Sequence, residues 1–305
     1  MKPHADSSFS IVPATVPLHA SHGRTYANNR FVYPVLSRRS GGISIGVNLN
    51  PDKVCNFDCI YCQVDRTSQA ETNFVDLGQV LRELDDLMQL TTSGELFQHA
   101  PFQATPPELR RLNDMAFSGD GEPTTYRNFD EIVTACAAVK QGRGLDDVKM
   151  VLITNASMFH REHVKRGLAV LDGNQGEIWA KLESGTEEYF KQIERTKIPF
   201  RQILDNITQA ACVRPLVIQS LFMRLHGEPP PAEELEAFCD RLNEITAAGG
   251  QLKHIQIYTV ARRPAEDFVS PLTPAEVDSL VSLVQRRTGL HASPYYGITS
   301  ENPPA

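Results

Sequence analysis

Three cysteines lie close together in the first quarter of the chain. Cys55, Cys59 and Cys62 fall within eight positions, whereas the other three of the six cysteines stand alone in later helical patterns. Three thiolates on one short loop can bind three irons of a [4Fe–4S] cube and leave the fourth iron without a protein ligand. An iron with an open coordination position can bind a substrate or a cofactor. The spacing therefore predicts a reactive iron–sulfur site.

Structural zinc is the alternative for this loop. Zinc sites of that kind combine two pairs of cysteine or histidine ligands, and only His160 and His163 have pair spacing downstream. These histidines begin a predicted helix among charged neighbours, which is typical of solvated side chains. Cys136, Cys212 and Cys239 fall in apolar helical patterns, where cysteine behaves as a small hydrophobic residue, so we expect all three in the core.

The elements that must position these residues alternate between short β-rich runs and longer helical runs. Strands are predicted at 43–49, 113–118, 148–154, 177–183, 216–223 and 254–260. Helices are predicted at 75–90, 128–141, 158–170, 186–211, 232–247 and 274–288. A capping box of Thr273 and Glu276 begins the last helix, and Gly289 ends it. The alternation predicts an α/β fold with a parallel sheet, specifically a partial (β/α)6 TIM-type barrel.

Several predicted strands carry apolar residues on one face and polar residues on the other. In the first strand Ile43 and Ile45 alternate with Ser44, and in the fourth Lys181 and Glu183 share the polar face. Buried parallel strands are usually apolar throughout, so a polar face indicates an open, polar lumen inside the barrel. An antiparallel sheet with one solvated face is the alternative, which the helices between the strands disfavour.

The chain is expected to form one main domain with short flanking segments. We predict an irregular N-terminal arm at 1–40, the barrel domain at 41–297 and a C-terminal tail at 298–305. The proline-containing connection at 91–113 is expected to cover the site. A formal charge of −7 argues against a broad basic surface. No run is apolar enough to span a membrane and the start does not resemble a signal peptide, so a cytoplasmic protein without a membrane partner is expected.

The cysteine loop resembles that of the radical S-adenosylmethionine (SAM) superfamily. Its Cys-x3-Cys-x2-Cys pattern after the first barrel strand is matched by Cys55, Cys59 and Cys62, and Tyr61 matches the aromatic residue before the third cysteine. Members bind SAM at the open iron and cleave it reductively to methionine and a 5′-deoxyadenosyl radical. The resemblance spans residues 40 to about 297 and implies two cofactors, a [4Fe–4S] cluster and SAM.

A glycine-containing segment after the second strand supports this resemblance. The sequence Gly119-Asp120-Gly121-Glu122-Pro123 is similar to the Gly-Gly-Glu-Pro segment that binds the amino group of SAM, with Asp120 inserted. The resemblance implies that Gly119, Gly121 and Glu122 line the amino-group site. Either glycine could take the place of the first glycine of the pattern.

Polar residues at later strand ends complete the expected SAM site. By the same resemblance, Asn155 and Glu183 lie nearer the carboxylate and ribose of SAM, although a helix cap is the alternative for Thr154 and Asn155. Arg262 and Arg263 follow the sixth strand. They either reach the substrate or form a solvated basic turn.

The segments 48–51, 119–124 and 258–262 look most like the group related to the wyosine-forming tRNA enzymes. The chain has neither the second cysteine group nor the flavodoxin-like domain of that group, which implies a single cluster reduced by an external flavodoxin or ferredoxin. Transfer RNA is the expected substrate. Basic residues that could bind its phosphates, or instead pair with acidic residues, are Arg24, Arg30, Arg38, Arg39, Lys53 and Arg66. The alternatives are a radical SAM enzyme acting on a small molecule or peptide, and a non-catalytic iron–sulfur or zinc protein.

Overall fold

The structure, a computed structural model, describes residues 26–297 apart from residues 38, 67, 69, 71 and 73. The strands in this part are β1 (Val32–Ser37), β2 (Gly42–Val47), β3 (Leu112–Phe117), β4 (Lys149–Thr154), β5 (Gly176–Lys181), β6 (Leu216–Leu221), β7 (Met223–Leu225), β8 (Leu252–Tyr258), β9 (Val269–Pro271) and β10 (Ala292–Tyr295). The helices are α1 (Leu77–Thr92), α2 (Phe129–Gly142), α3 (Glu162–Asp172), α4 (Glu187–Glu194), α5 (Phe200–Val213), α6 (Ala232–Ala247) and α7 (Pro274–Thr288). None of these helices is long and apolar enough to cross a membrane.

Eight strands form one sheet in the order β1-β2-β3-β4-β5-β6-β8-β10. Every neighbouring pair is parallel except β1 with β2, and helices connect the parallel strands. The predicted partial TIM-type barrel is therefore confirmed, and β10 adds a parallel strand after the sixth strand–helix unit. Strands β7 and β9 form a separate antiparallel pair.

The last helix has both of its predicted end signals. Thr273 and Glu276 exchange side-chain to backbone hydrogen bonds at the start of α7, with Pro274 in its first turn. Gly289 follows the helix with a φ of 71°, a left-handed conformation that glycine adopts without strain. These local signals fix where α7 begins and ends.

Strand β1 lies within the segment that was predicted to be an irregular arm. Pro34 sits in the middle of β1 opposite Ile45, and a proline inside a run argues against a strand in sequence reasoning. The structure resolves this conflict because β1 is an edge strand, where a missing backbone donor is tolerated. Residues 1–25 of the predicted arm and the predicted tail at 298–305 lie outside the described residues.

A single buried carboxylate joins the start of β1 to helix α1. Glu83 accepts hydrogen bonds from the backbone N–H groups of Arg30, Phe31 and Val32 at 2.9–3.0 Å. The Gln79 side chain donates a further bond of 2.8 Å to the same carboxylate. These N–H groups precede or begin an edge strand. The Glu83 carboxylate therefore supplies the acceptors that a neighbouring strand would otherwise supply.

The alternating pattern of the strands separates the core from the lumen. Ile43 and Ile45 face the helices and are fully buried, while Ser44 lines the lumen, as predicted. Cys136 and Cys239 are buried in the core. Cys212 is exposed, so its predicted core position was wrong. It follows the buried stripe of α5 by one residue, and one residue of an α-helix turns about 100° away from the core.

The connection at 91–113 does not cover the site, so this prediction was also wrong. It forms three short 3₁₀ turns, Glu95–Gln98, Phe102–Ala104 and Pro107–Leu109, whose apolar residues pack into the core. None of its residues lines the cavity described below. The reason is its direction, since it enters β3 at the amino end of that strand and ligand sites in parallel folds lie at the carboxyl ends.

A pair of histidines joins β8 to the segment before β10. The Nδ1 atoms of His254 and His291 lie 2.6 Å apart. Burial and, to a smaller extent, His291 lower the pKa of His254 to about 4. The unfolded chain takes up this proton at a pKa of about 6.5, so the folded state is expected to lose stability as the pH falls from about 6.5 towards 4.

Replacing His254 tests this pH dependence. Between pH 7.5 and pH 5, we expect the free energy of unfolding of the His254→Gln variant to fall by about 1 kcal/mol less than that of the wild type, after allowance for partial exposure. Urea denaturation at the two pH values measures the difference. The control is His99→Gln, because His99 is exposed. Its free energy of unfolding should change with pH as that of the wild type does. Equal losses in the wild type and the His254→Gln variant would refute the assignment.

Candidate functional site

A cavity of about 280 Å³ opens in the lumen, reaching the carboxyl ends of the strands. All three clustered cysteines line it, as do the other residues that the sequence singled out, namely Tyr61, Gly119, Gly121, Glu122, Asn155 and Glu183. The structure therefore brings every predicted site residue to one place. Their roles in binding stay predictions at this point.

The cysteine loop is held from two sides. Its backbone donates to the end of α4, with Asp58 N 3.0 Å from the Glu194 oxygen and Ile60 N 2.9 Å from the Ile193 oxygen. On the other side, the Asn56 side chain donates to Ser157 Oγ at 2.7 Å. These contacts fix the loop between the end of β4 and the end of α4 without using any thiol.

The chemistry of the three thiols fits an iron–sulfur cluster. Cys55, Cys59 and Cys62 are partly exposed towards the cavity, and a guanidinium nitrogen of Arg66 lies 3.7 Å from the Cys62 sulfur. Among the described residues, no group of three metal-ligating side chains is gathered around a single point. Ligands of a cube bind different irons and do not need to converge on one point.

Four ionisable side chains share the wall of the cavity near Cys59. Tyr61 donates a hydrogen bond of 2.9 Å to Glu194, and the ammonium group of Lys181 lies 5.5 Å from the centre of the Tyr61 ring. Burial and the neighbouring carboxylate raise the pKa of Glu183. Burial opposes the charge of Lys181, but the surrounding acidic groups raise its pKa above the usual value. One carboxylate oxygen of Glu183 is buried without a hydrogen-bond partner in the described part of the chain.

Sequence reasoning missed Glu194. This residue ends α4 beside the buried Phe190 and Ile193, so its carboxylate points inward rather than to solvent. A glutamate on the apolar stripe of an amphipathic helix is a detectable signal, because such a stripe normally excludes charge.

The Glu122 carboxylate forms hydrogen bonds with other residues of the chain. It accepts hydrogen bonds from Thr154 Oγ1 at 2.6 Å, from Asn155 N at 2.7 Å and from Thr124 N at 3.1 Å. Both oxygens are thus occupied, and the side chain ties the end of β3 to the end of β4. Glu122 lies where it was expected, but it positions neighbouring residues through these bonds.

The Asn155 side chain is also occupied. Its amide donates 2.9 Å to Asn56 Oδ1 in the cysteine loop, and its oxygen accepts 3.1 Å from Ser157 N. The second bond closes a local turn and is not the helix cap that the sequence offered as an alternative, because α3 begins only at Glu162 with Arg161 before it. Asn155 therefore links the end of β4 to the cysteine loop.

The two glycines of the segment after β3 allow close packing within the protein. A Cβ atom on Gly119 would lie 2.1 Å from Asn48 Oδ1, and one on Gly121 would lie 2.2 Å from the Val54 carbonyl oxygen. Asn48 also donates a bond of 2.7 Å to Asp120, the inserted residue. Substitution of either glycine would displace the chain that leads into the cysteine loop, and so would disturb more than a ligand contact.

The basic residues expected to bind phosphates have different partners in the described part of the chain. Arg39 lies in the lumen over Trp179, Arg66 contacts Cys62, and Lys53 donates to Ser68 at 2.5 Å. Two further members, at positions 24 and 38, lie outside the described residues. Arg39 and Arg66 line the same cavity, and phosphate binding by these basic residues stays a prediction.

The two arginines after β8 also separate. Arg262 lines the cavity, whereas Arg263 is 86% exposed and pairs with Asp267 at 3.2 Å. The position of Arg262 fits the expectation that it reaches the substrate. Arg263 fits the alternative, a solvated basic turn.

Comparison with known proteins adds a family match. A family model described as the radical SAM superfamily matches residues 49–218. A Helicobacter pylori UPF0026 protein is 24% identical over 224 residues, which cover 73% of this chain and 65% of that protein. A Brachyspira hyodysenteriae protein described as GTPase Obg is 22% identical over 250 residues, 80% of this chain and 32% of its own length. The chain thus spans less than two thirds of either relative.

Solved structures were also compared with the chain. A structure of TYW1 with a lysine-pyruvate adduct bound aligns with a TM-score of 0.47 at 14% identity, over 81% of this chain and 74% of that one. A crystal structure of archaeal TYW1 aligns with a TM-score of 0.43 at 13% identity, over 83% and 74%.

Proposed function

Because the chain belongs to the radical SAM superfamily, we propose that Cys55, Cys59 and Cys62 bind one [4Fe–4S] cluster and that the cavity beside them binds SAM. The observation that carries this proposal is the placement of three thiols from one loop on the wall of a cavity at the carboxyl ends of parallel strands. The enzyme class follows from the family. The ligand residues and the reaction on a substrate are our proposals.

With both cofactors bound, the cluster held by Cys55, Cys59 and Cys62 would supply the electron for reductive cleavage of SAM. The residues of the chain prepare this chemistry by holding the loop and the strand ends in place. Asn56 and Asn155 fix the cysteine loop against β4, and Glu122 fixes β3 against β4. The unpartnered oxygen of Glu183 is available to accept a hydrogen bond from a ribose hydroxyl of SAM.

The electron is proposed to come from an external donor, a flavodoxin or a ferredoxin. This follows from the single cysteine group in the chain, which offers ligands for one cluster. We further propose that residues 41–297 form the catalytic domain, since β2 to β10 and most of the cavity-lining residues lie within it. Tyr33, Val35, Ser37 and Arg39 also line the cavity, so β1 completes its wall.

The proposal is tested by anaerobic incubation of the reconstituted protein with SAM and dithionite. A radical SAM enzyme is expected to form 5′-deoxyadenosine and methionine in equal amounts, even without its substrate. A non-catalytic iron–sulfur or zinc protein would form neither. Liquid chromatography with mass spectrometry measures both products. Failure to form 5′-deoxyadenosine with a full complement of iron would contradict the proposal.

For the substrate, we propose a nucleoside in RNA, specifically in tRNA. The support is the resemblance of three segments to the wyosine-forming group and the presence of a lumen large enough for part of a flipped nucleoside. Unfractionated tRNA should bind at low salt, bind more weakly as salt rises, and increase 5′-deoxyadenosine formation. The competing substrate is a small molecule or peptide. Absence of both binding and stimulation by tRNA would favour that competitor.

A further inference from the structure

Arg39 projects from the turn between β1 and β2 into the lumen. Its guanidinium carbon lies 5.6 Å from the centre of the Trp179 ring and 5.1 Å from the centre of the Tyr258 ring. Arg39 lines the same cavity as the cysteine loop. Because β1 and β10 are the two edges of the sheet, and Tyr295 of β10 lines the cavity too, Arg39 lies on the open side of the partial barrel.

The guanidinium has no polar partner within the described residues. Its side chain contacts the two rings and forms no hydrogen bond or ion pair with a described residue. Other charged side chains that line the cavity have polar neighbours. Asp114 accepts a hydrogen bond from Ser44, and Lys181 lies beside Glu183 and Glu194.

The guanidinium N–H groups of this half-buried side chain are not used by the described residues, so they are free to bind a polar group that enters the lumen. The aromatic rings orient the guanidinium through cation–π contacts, but they do not accept its in-plane N–H groups. Those N–H groups form a planar fork that matches two oxygens of a carboxylate or phosphate.

We propose that Arg39 binds an oxyanion of the substrate, a carboxylate or a phosphate, inside the lumen. The proposal names a chemical feature that the substrate of the proposed reaction must carry. It rests on the proposed function for the reaction, whereas the binding of the anion itself requires neither SAM nor an electron. Binding and reaction can therefore be tested separately.

Trp179 supplies the measurement. It is the one tryptophan of the sequence, and its ring lies against Arg39, so an anion bound to Arg39 should change its fluorescence. The full chain, reconstituted anaerobically, is titrated with inorganic phosphate and with acetate at constant ionic strength. We expect a saturable change with one or both anions and none with the uncharged acetamide. Comparison of the two anions distinguishes a phosphate from a carboxylate ligand.

Two substitutions at position 39 and one control sharpen the test. Arg39→Gln should weaken binding of the active anion at least about tenfold, because it removes the charged fork. Arg39→Lys should weaken binding less, since it keeps the charge and loses the paired geometry. Arg201→Gln is the matched control, because Arg201 is 77% exposed on α5 and pairs with Asp205 outside the cavity.

The proposal is overturned if the wild type shows no saturable response to either anion, or if the Arg39→Gln variant binds as tightly as the wild type. A response to neutral guanosine without a response to either anion would also overturn it, since it would indicate recognition of a base edge. Wild-type 5′-deoxyadenosine formation is measured in parallel. Anion binding without SAM cleavage would refute the proposed function alone, and SAM cleavage without anion binding would refute this inference alone.

Discussion

Replacing Cys55, Cys59 or Cys62 with alanine is expected to remove the iron–sulfur cluster and, with it, all detectable cleavage of SAM. Each thiol is proposed to bind a different iron, so the loss of one leaves the cube with two protein ligands. Iron and sulfide analysis, the visible absorption of the reconstituted protein and 5′-deoxyadenosine formation should all fall to background. The backbone bonds of Asp58 and Ile60 to α4 predict that the protein itself stays folded.

The exposed Cys212 provides the matched control. Cys212→Ala removes one thiol from outside the cavity and should keep the full iron content and activity. Full iron retention in any variant of the clustered cysteines, or in the triple alanine variant, would refute the ligand assignment. Loss of iron in the Cys212→Ala variant would show that the cluster takes a ligand from elsewhere.

Glu83→Ala is expected to lower the free energy of unfolding by about 3 kcal/mol. The change leaves the N–H groups of Arg30, Phe31 and Val32 without their acceptor, and unpaired buried donors cost about 1–3 kcal/mol each before relaxation and water entry. Urea or thermal denaturation monitored by circular dichroism measures the loss. Because β1 lines the cavity, the variant should also bind SAM more weakly.

Two further variants separate this mechanism from a general loss of charge. Glu83→Gln keeps one acceptor oxygen and should lose less stability than Glu83→Ala. Glu162→Ala removes an exposed glutamate from α3 and should change stability by less than about 0.5 kcal/mol. If Glu83→Ala and Glu162→Ala were equally stable, the Glu83 carboxylate would not hold β1.

The parts of the fold that sequence reasoning predicted are those with strong local signals. The six predicted strands follow from short β-rich runs between helical runs, and the ends of α7 follow from capping signals. Both sheet edges were missed, because β1 contains Pro34 and β10 contains Pro294, and proline within a short run disfavours a strand. The predicted helix at 186–211 divides into α4 and α5. Pro199 directly precedes α5, so this division had a detectable signal.

The same distinction applies to the site: features set by neighbouring residues were predictable, and contacts between distant residues were not. The spacing of the cysteines predicts their shared loop, because eight consecutive positions constrain one another through the backbone. No local sequence signal predicts that the Glu122 carboxylate accepts hydrogen bonds from Thr154 and Asn155. The same is true of the contact between Arg39 and the Trp179 ring. These contacts join residues more than thirty positions apart. The pairing of β3 with β4 brings Glu122 to Thr154 and Asn155, and the curvature of the sheet brings Arg39 to Trp179.

The attachment of the cysteine loop to α4 has a consequence for repair after oxygen damage. The bonds from Asp58 and Ile60 to the end of the helix use backbone groups alone, so they do not depend on iron. In domains that fold only when they bind metal, the free energy of metal binding must offset the entropy lost when the chain becomes ordered. In this protein the backbone bonds to α4 provide part of that ordering independently of the thiols, so we expect a chain that has lost its cluster to bind a new one.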